Sequence, residues 1–297
     1  MVAANLGELR GVLKRHEPMH RHTSWRVGGP ADRFYEPADI DDLADFLRTL
    51  PGDEPLHWIG LGSNLLVRDR GVRGTVIMLS GRLNSLTRTG DETIRAEAGV
   101  ASAKLARFSV SQGLHGAEFL AGVPGTVGGA LAMNAGAFGA ETWNIVTAVE
   151  TLDRRGQRRT RLPHDYRIGY RTVQGPADEW FVAGHFGLAP GSEEEGLATI
   201  RSLLARRGAS QPTQLPNAGS VFRNPHGDYS ARLIEAAGLK GRRRGGAQVS
   251  ERHANFIINT GTATAADIEA LIREVQAEVE KQHGVRLEPE VRIIGEM

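Results

Sequence analysis

The sequence predicts an α+β protein. Two amphipathic helical patterns, at residues 39–50 and 265–283, enclose strand-like runs at 93–100, 146–162 and 180–188. Glycine makes up 37 of the 297 residues, whereas average usage of about 7% would give roughly 21. We therefore expect helices and sheets joined by many backbone-rich loops.

The N-terminal half mixes the two kinds of element. The segment DIDDLADFLRTL (39–50) has acidic residues first and Pro51 as its stop, which is typical of a helix. Strands are expected at 55–60, 75–79 and 93–100. Ser102 is predicted to cap a helix that continues to about Gln112 and stops at Gly113.

Further strands lead to a domain boundary near residue 190. Residues 146–162 indicate two strands joined at Arg-Gly-Gln, and 180–188 indicate another. Ser192 and Glu195 then form a capping-box pattern ahead of a helix that is expected to end at Gly208.

The C-terminal region has a short helix at 230–237, a strand at 253–259 and a long helix at 265–283. For the long helix, Thr264 is the cap, Asp267 the box residue and Gly284 the stop. The final segment VRLEPEVRII alternates, so four apolar residues share one face: Val285, Leu287, Val291 and Ile293. Pro289 favours an edge or bulged strand there.

Composition excludes several classes of function. A formal net charge of +1 argues against a polyanionic partner such as nucleic acid. The absence of cysteine excludes disulfides, thiolate nucleophiles and cysteine-ligated metals. The sequence contains no apolar run long enough to span a membrane and begins with no secretory signal pattern, so we expect a cytoplasmic protein.

The motif HEPMH at 16–20 matches the H-E-x-x-H zinc pattern only in its letters. Pro18 lacks a backbone donor and disfavours helical geometry at Glu17, so His16 and His20 would not share a helix face. We therefore expect no metal site.

Two glycine-rich segments lack the lysine of a P-loop. The stretch 121–139 holds six glycines in nineteen residues, and GLGSN (60–64) follows an apolar strand. Backbone amides in such loops bind phosphate groups, although close packing of loops is an alternative for 121–139. Leu65 occupies the position of the third glycine in a dinucleotide fingerprint, so the Rossmann interpretation fails. A pyrophosphate-bearing cofactor in a less common fold is the remaining hypothesis.

Seven ordered segments together resemble one enzyme family. They are TSWRVGG (23–29), GLGSNLLVRDRGVRGTVI (60–77), GAEFLAGVPGTVGGALAMNAGAFG (116–139), IGYR (168–171), NAGSVFRNP (217–225), AGLKGRRRGGAQVSERHANFIINTG (237–261) and LEPEVRIIG (287–295). This order resembles the UDP-N-acetylenolpyruvoylglucosamine reductases, the MurB-type flavoenzymes of peptidoglycan precursor synthesis.

The resemblance implies a fold and a domain organisation. A p-cresol-methylhydroxylase-type FAD-binding domain would consist of two subdomains at 1–84 and 85–190. An α+β substrate-binding domain would follow at 191–284, and the strand at 285–297 would return to the FAD-binding region. It also implies noncovalent FAD, NADPH as reductant and a UDP-sugar enolpyruvyl ether as substrate. We expect a monomer without nucleic acid or membrane partners.

The resemblance also implies the cofactor contacts. They fall in three segments and comprise Arg26, Val27, Gly28, Gly29, Gly60, Gly62, Ser63, Asn64, Leu65, Gly122, Val123, Pro124, Gly125, Thr126, Gly128, Gly129, Asn134, Gly136 and Gly139.

Three residues are implied as catalytic. Arg171 would stabilise the enolate that forms when hydride adds to C3, and Glu290, in its protonated form, would help to orient or stabilise it. Ser220 would donate the proton to C2. Tyr170, Arg207 and Asn224 are the implied substrate contacts.

Three features depart from the family pattern. Val173 stands where serine is common, and Ser210 replaces a frequent lysine, which would shift phosphate contact to Arg206 or Arg207. The short stretch between Arg171 and Trp180 lacks the tyrosine-bearing insertion of one subgroup, so we expect the subgroup without it. The alternative functions are an FAD-dependent oxidase with another substrate and a catalytically silent nucleotide-sugar binding protein.

Overall fold

The computed structural model describes residues 9–212 and 214–297, which form two compact units. The first comprises residues 9–15, 33–60 and 74–204, and the second comprises 16–32, 61–73 and 205–297. The four consecutive segments inferred from sequence remain a functional prediction, and residues 1–8 of the first lie outside the described residues.

In the described part of the chain, short strands are interspersed with six α-helices. The strands are β1 (Val12–Pro18), β2 (Pro30–Glu36), β3 (Leu56–Ile59), β4 (Leu65–Val67), β5 (Val72–Met78), β6 (Leu86–Arg88), β7 (Thr93–Glu97), β8 (Leu114–His115), β9 (Gly136–Ala137), β10 (Ala140–Glu141), β11 (Val146–Asp153), β12 (Arg158–Arg161), β13 (Arg167–Gly169), β14 (Thr172–Gln174), β15 (Glu179–Gly187), β16 (Ala189–Pro190), β17 (Arg243–Arg244), β18 (Ala247–Val249), β19 (Ile257–Asn259) and β20 (Arg292–Ile294). The α-helices of the described residues are α1 (Ile40–Thr49), α2 (Ser102–Ser111), α3 (Val127–Met133), α4 (Glu193–Ser210), α5 (Ser230–Ala236) and α6 (Ala265–His283).

The first unit is built on two sheets. One has the strand order β1-β2-β5-β3, in which β3 and β5 are parallel, and the other is an antiparallel sheet of order β12-β11-β15-β7-β6. Helix α1 buries Leu43, Phe46 and Leu47 in a core with Ile77 of β5. A second core joins the five-stranded sheet to α2 and α3. The apolar residues of 39–50 therefore form the buried face of a helix, as their periodicity predicted.

The second unit packs α6 against short strands. Buried residues of this helix, including Ile268 and Leu271, share a core with Phe222, Val249 and Val291. Strand β20 pairs in parallel with β4, with Ile293 opposite Leu66. Because these residues are more than two hundred positions apart, the C-terminal segment is held by long-range pairing that local patterns do not contain.

Local end signals account for several helix boundaries. The Asp39 side chain accepts from the amide of Asp42 at 2.9 Å, which caps α1. Thr264 and Asp267 form the predicted capping box of α6, and Gly284, with φ +67°, ends it. The capping box and the glycine stop predicted for α6 are confirmed, because such signals act within a few residues.

Several boundaries differ from the predictions. The cap of α2 is Ala101, and Ser102 is already the first helical residue, with its side chain buried. Helix α4 continues through Gly208 to Ser210, since a single glycine weakens an exposed helix without ending it. The predicted strands at 253–259 and 285–294 are only three residues long, at β19 and β20. Leu287 and Val291 are nevertheless buried as the alternation predicted.

A buried carboxylate links four strands of the five-stranded sheet. Glu150 on β11 accepts hydrogen bonds from Arg95 on β7 at 2.6 and 3.1 Å and from Arg158 on β12, and its Oε1 lies 2.9 Å from Nε2 of His185 on β15. Burial alone would raise the pKa of Glu150, but hydrogen bonds from His185, Arg95 and Arg158 together lower the pKa well below its usual range.

Glu150→Gln is expected to destabilise the protein at pH 7 by roughly 1.5–3 kcal/mol, because the buried acceptor of Arg95 and Arg158 loses its charge and its hydrogen bonds weaken. The pKa of Glu150 is lower in the folded protein than in the unfolded chain, where it is about 4.3. Ionised Glu150 therefore stabilises the fold above about pH 4.3, and this stabilisation is lost as pH falls towards the folded pKa. The melting temperature of the wild type should therefore drop more steeply than that of the variant between about pH 5 and pH 3. Parallel curves for the two proteins would contradict this role.

Candidate active site

Arg171 lies at the tip of a hairpin in the first unit. Strands β13 and β14 pair Gly169 with Thr172, which leaves Tyr170 and Arg171 as a two-residue loop. Arg171 has φ +53°, in the left-handed region that non-glycine residues adopt at a cost. Such a conformation persists where surrounding contacts determine it, and it marks Arg171 as a candidate functional residue.

The glycine-rich segment supplies those contacts. The Arg171 guanidinium donates to the carbonyls of Asn134 at 3.3 Å and Gly136 at 2.8 Å. It also lies over the Tyr170 ring, 5.2 Å from the centroid. These bonds hold the guanidinium at the tip of the hairpin.

Asn134 is itself fixed by its side chain. Its Nδ2 donates to Glu141 at 2.8 Å and to the carbonyl of Gly169 at 3.1 Å, and its Oδ1 accepts from the amide of Trp143 at 3.1 Å. The residue is buried and has φ +46°. Through these contacts Asn134 joins the glycine-rich segment to the hairpin that carries Arg171.

Ser220 and Glu290 belong to neighbouring extended segments of the second unit. The amide of Glu290 donates to the carbonyl of Val221 at 2.7 Å, and Phe222 and Pro289 form a bridge. Both Ser220 and Glu290 are half-buried. The structure therefore brings these two predicted residues together through the backbone that carries them.

Asn64 forms hydrogen bonds with the segment that carries Glu290. Its Nδ2 donates to the carbonyl of Glu290 at 3.1 Å, and its own carbonyl accepts from the amide of Arg292 at 3.1 Å. Its assignment to the cofactor stays a prediction, and positioning of Glu290 is a contact that the sequence did not indicate.

The two predicted cofactor segments of the second unit contact each other. The amide and hydroxyl of Ser24 both donate to the carbonyl of Gly62, at 3.1 and 3.2 Å. Gly62 has φ +61°, and a Cβ added there would lie 2.0 Å from the carbonyl oxygen of His22. Close backbone approach therefore requires glycine at this position.

Further glycines are required by packing inside their own units. An added Cβ would lie 2.1 Å from the carbonyl oxygen of Asp69 at Gly29, and 2.3 Å from Oγ1 of Thr126 at Gly60. Within 121–139, the corresponding closest contacts are 2.5 Å to the Phe138 ring at Gly122, 2.9 Å to Cβ of Ala98 at Gly128 and 2.4 Å to the carbonyl oxygen of Ala140 at Gly136. Close packing, the alternative left open for this segment, therefore explains part of its glycine content.

Gly129 differs from these positions. It is exposed, it lies inside α3, and the nearest atom to an added Cβ is Oγ1 of Thr126 at 3.8 Å. Glycine in a helix costs about 1 kcal/mol relative to alanine, and neither backbone conformation nor protein packing requires it here. A ligand that approaches the α3 backbone explains this glycine, so the segment fits a bound cofactor.

The remaining predicted residues are spread over both units. Tyr170 is exposed, and Arg207 is half-buried with its Nε donating to Gln211 at 3.0 Å. Burial lowers the pKa of Arg207. Asn224 is exposed, and its Oδ1 accepts from the amide of Ser230 at 3.1 Å at the start of α5.

The H-E-x-x-H motif forms no helix in which both histidines share a face. Residues 16–18 belong to β1, and Glu17 pairs with His22 at 2.8 Å. Among residues 9–212 and 214–297, no group of three or more His, Asp or Glu side chains could hold a metal ion. Within the same residues no helix is long and apolar enough to cross a membrane.

Comparison with known proteins defines the class. Residues 31–160 match the FAD binding domain family. Together with the mixed helix and sheet architecture, this match makes the chain a flavoprotein with an FAD-binding domain, as predicted.

Full-length relatives then specify the family. Residues 211–294 match the C-terminal domain of UDP-N-acetylenolpyruvoylglucosamine reductase. Proteins of that name from Alkalilimnicola ehrlichii and Methylococcus capsulatus are 62% and 60% identical, over 100% and 97% of this chain and 99% and 94% of their own lengths. The crystal structure of the Thermus caldophilus reductase has a TM-score of 0.83 at 32% identity, covering 97% of this chain and 100% of that one. The chain belongs to the UDP-N-acetylenolpyruvoylglucosamine reductase family.

Proposed function

We propose that this chain reduces UDP-N-acetylglucosamine enolpyruvate to UDP-N-acetylmuramate with NADPH as the electron source. Relatives that carry the reductase name match the chain end to end, which supports the substrate class. The observation that carries the catalytic part is the pairing of the Glu290 amide with the Val221 carbonyl, since it places the residue with the hydroxyl and the residue with the carboxyl on adjacent segments.

Each catalytic residue has a separate task. Held by residues 26–29, 60–65 and 122–139, FAD would supply the hydride chemistry that links NADPH to C3 of the enolpyruvyl group. Arg171 supplies positive charge to the enolate that develops on the substrate. Glu290, as a neutral acid, donates a hydrogen bond to the same group. Ser220 gives a proton to C2, which completes the lactyl ether, and regains a proton from water. The overall reaction balances as substrate plus NADPH plus H⁺ to product plus NADP⁺.

The cofactor and substrate contacts are assigned by segment. Residues 26–29, 60–65 and 122–139 would hold FAD, with Gly129 the position where the fit to a cofactor is clearest. Tyr170, Arg207 and Asn224 would contact the substrate. Residues 1–84 and 85–190 would form the two FAD-binding subdomains, 191–284 the substrate-binding domain, and 285–297 the strand that returns to the FAD-binding region. We propose that the enzyme works as a monomer in the cytoplasm. The absence of cysteine accords with that reducing compartment.

Flavin colour separates this function from its alternatives. Purified protein loaded with FAD is expected to be yellow, to bleach anaerobically with NADPH, and to regain colour when the enolpyruvyl substrate is added. The product should be two mass units heavier than the substrate. Protein that stays colourless after saturation with FAD would instead indicate a silent binding protein. Recovery of colour only with oxygen would indicate an oxidase.

A pair of adjacent glycines tests the cofactor assignment. Gly129→Ala should leave the apoprotein fold intact or slightly more stable, because the methyl group has room and alanine favours a helix. Its affinity for FAD should fall about tenfold or more, since overpacking costs roughly 1–3 kcal/mol. Titration of apoprotein with FAD, followed by fluorescence, measures this change.

The matched control is Gly128→Ala. Its methyl group would lie 2.9 Å from Cβ of Ala98 and 3.1 Å from the Ala98 carbonyl oxygen, so the apoprotein itself should lose thermal stability. If Gly129→Ala bound FAD like the wild type, α3 would not contact the cofactor.

A further inference from the structure

Asn255 holds the segment that follows Ser220. Its Oδ1 accepts from the amide of Phe222 at 2.9 Å, and its Nδ2 donates to the carbonyl of the same residue at 2.8 Å. Its backbone carbonyl also accepts from the amide of Val221 at 2.9 Å. Asn255 and Phe222 are both buried, so these bonds form away from water. Three hydrogen bonds from one residue therefore fix the two positions after Ser220.

The opposite edge of this segment is bonded to the extended segment that carries Glu290. The carbonyl of Val221 accepts from Glu290, and the amide of Arg223 donates to the carbonyl of Glu288 at 2.9 Å. The Asn255 side chain thus replaces a neighbouring strand on one edge while residues 288–290 fill the other. A shift of Val221 would break contacts on both edges.

The residue before Ser220 is fixed as well. The amide of Gly219 donates to Oδ1 of Asn217 at 2.9 Å, and Gly219 has φ +73°. Ser220 therefore lies between a constrained turn and the backbone held by Asn255. Its hydroxyl can change position only by side-chain rotation or by loss of these bonds.

Given the proposed function, on which this step rests, we propose that Asn255 is a positioning residue for proton transfer by Ser220. A proton donor must lie within about 2.6–3.2 Å of its acceptor, and a misplacement of about 1 Å can cost about 10²-fold in rate. The acceptor and the donor of the Asn255 side-chain amide both bond the backbone of one residue, Phe222, which fixes the direction of the chain as well as its distance. No local sequence pattern indicates this contact, because Phe222 and Asn255 are 33 positions apart.

The test uses Asn255→Asp, which keeps the shape but loses the donor to Phe222 while the new carboxyl is ionised. Stopped-flow spectroscopy of the FAD-loaded enzyme should show flavin reduction by NADPH within about twofold of wild type. Reoxidation by saturating substrate should slow by about 10- to 100-fold. It should recover as pH is lowered and the carboxyl gains a proton, since the protonated acid can again donate to Phe222.

A double mutant separates positioning from general stability. In the Ser220→Ala background, Asn255→Asp should slow reoxidation no further, because the group it positions is gone. Val279→Ala, a cavity in the core of α6, controls for stability loss and should leave the reoxidation rate near wild type. If Asn255→Asp cannot be purified, Asn255→Ser leaves space for water to bond Phe222 and serves the same comparison.

The outcomes distinguish the inference from the function. A wild-type reoxidation rate in folded Asn255→Asp, or an additive loss in the double mutant, would overturn the positioning role. Wild-type enzyme that NADPH reduces but the enolpyruvyl substrate does not reoxidise would overturn the proposed function instead.

Discussion

Ser220→Ala is expected to leave reduction of the flavin by NADPH unchanged and to slow its reoxidation by the enolpyruvyl substrate about 10²-fold or more, the scale of lost general acid catalysis. The reason is chemical: hydride addition to C3 leaves charge on the substrate, and the reaction ends only when C2 gains a proton. The hydroxyl takes no part in accepting hydride from NADPH, so the first half-reaction serves as an internal control.

Anaerobic stopped-flow measurement of the two half-reactions provides the test. The variant should also show a larger solvent isotope effect on reoxidation, because proton delivery becomes slower than hydride transfer. Thermal stability should change little, since Ser220 is half-buried and its backbone is held by other residues. Equal slowing of both half-reactions would exclude proton donation as the task of Ser220.

Helix ends were the most predictable part of the fold. Asp39 at α1, and Thr264, Asp267 and Gly284 at α6, act on backbone groups within one turn, so a local pattern contains the whole cause. Ser102 shows the limit of the same logic. A serine next to a helix start can be the first helical residue, and the sequence alone does not separate the two positions.

Strand ends depended on partners far away in sequence. Residues 285–294 alternate over their whole length, yet only Arg292–Ile294 form a strand, because that part meets β4. Pro289 has no amide to donate, and the residues around it bond irregularly to 221–223 instead. Burial of Leu287 and Val291 could be predicted from the pattern, whereas the pairing could not.

In the candidate site, the sequence likewise indicated which residues are functional but not which contacts hold them in place. Segment resemblance indicated Arg171, Ser220 and Glu290, but the asparagines that hold these residues or the positions next to them were missed or given another role. Asn64 donates to the carbonyl of Glu290, and the Asn134 carbonyl accepts from Arg171. A buried amide can bond a distant peptide as readily as a ligand, and only the folded chain shows which peptide is near.

Arg171→Ala is expected to slow reoxidation of the flavin by about 10²- to 10³-fold, the range for removal of one group that stabilises an oxyanion. Arg171→Lys should recover only part of that rate. Lysine keeps the charge but lacks the planar fork that donates to the carbonyls of Asn134 and Gly136. The ammonium group would therefore be held less firmly where the enolate develops.

Arg167→Ala is the matched control, because Arg167 is an exposed arginine on the same hairpin and has no assigned role. It should retain both half-reactions. Arg171→Gly adds a second comparison, since glycine adopts φ +53° without strain and should melt at or above the temperature of Arg171→Ala. If Arg171→Ala and Arg167→Ala slowed reoxidation equally, the reaction would depend on the total positive charge of the hairpin. A specific role for the Arg171 guanidinium would then be excluded.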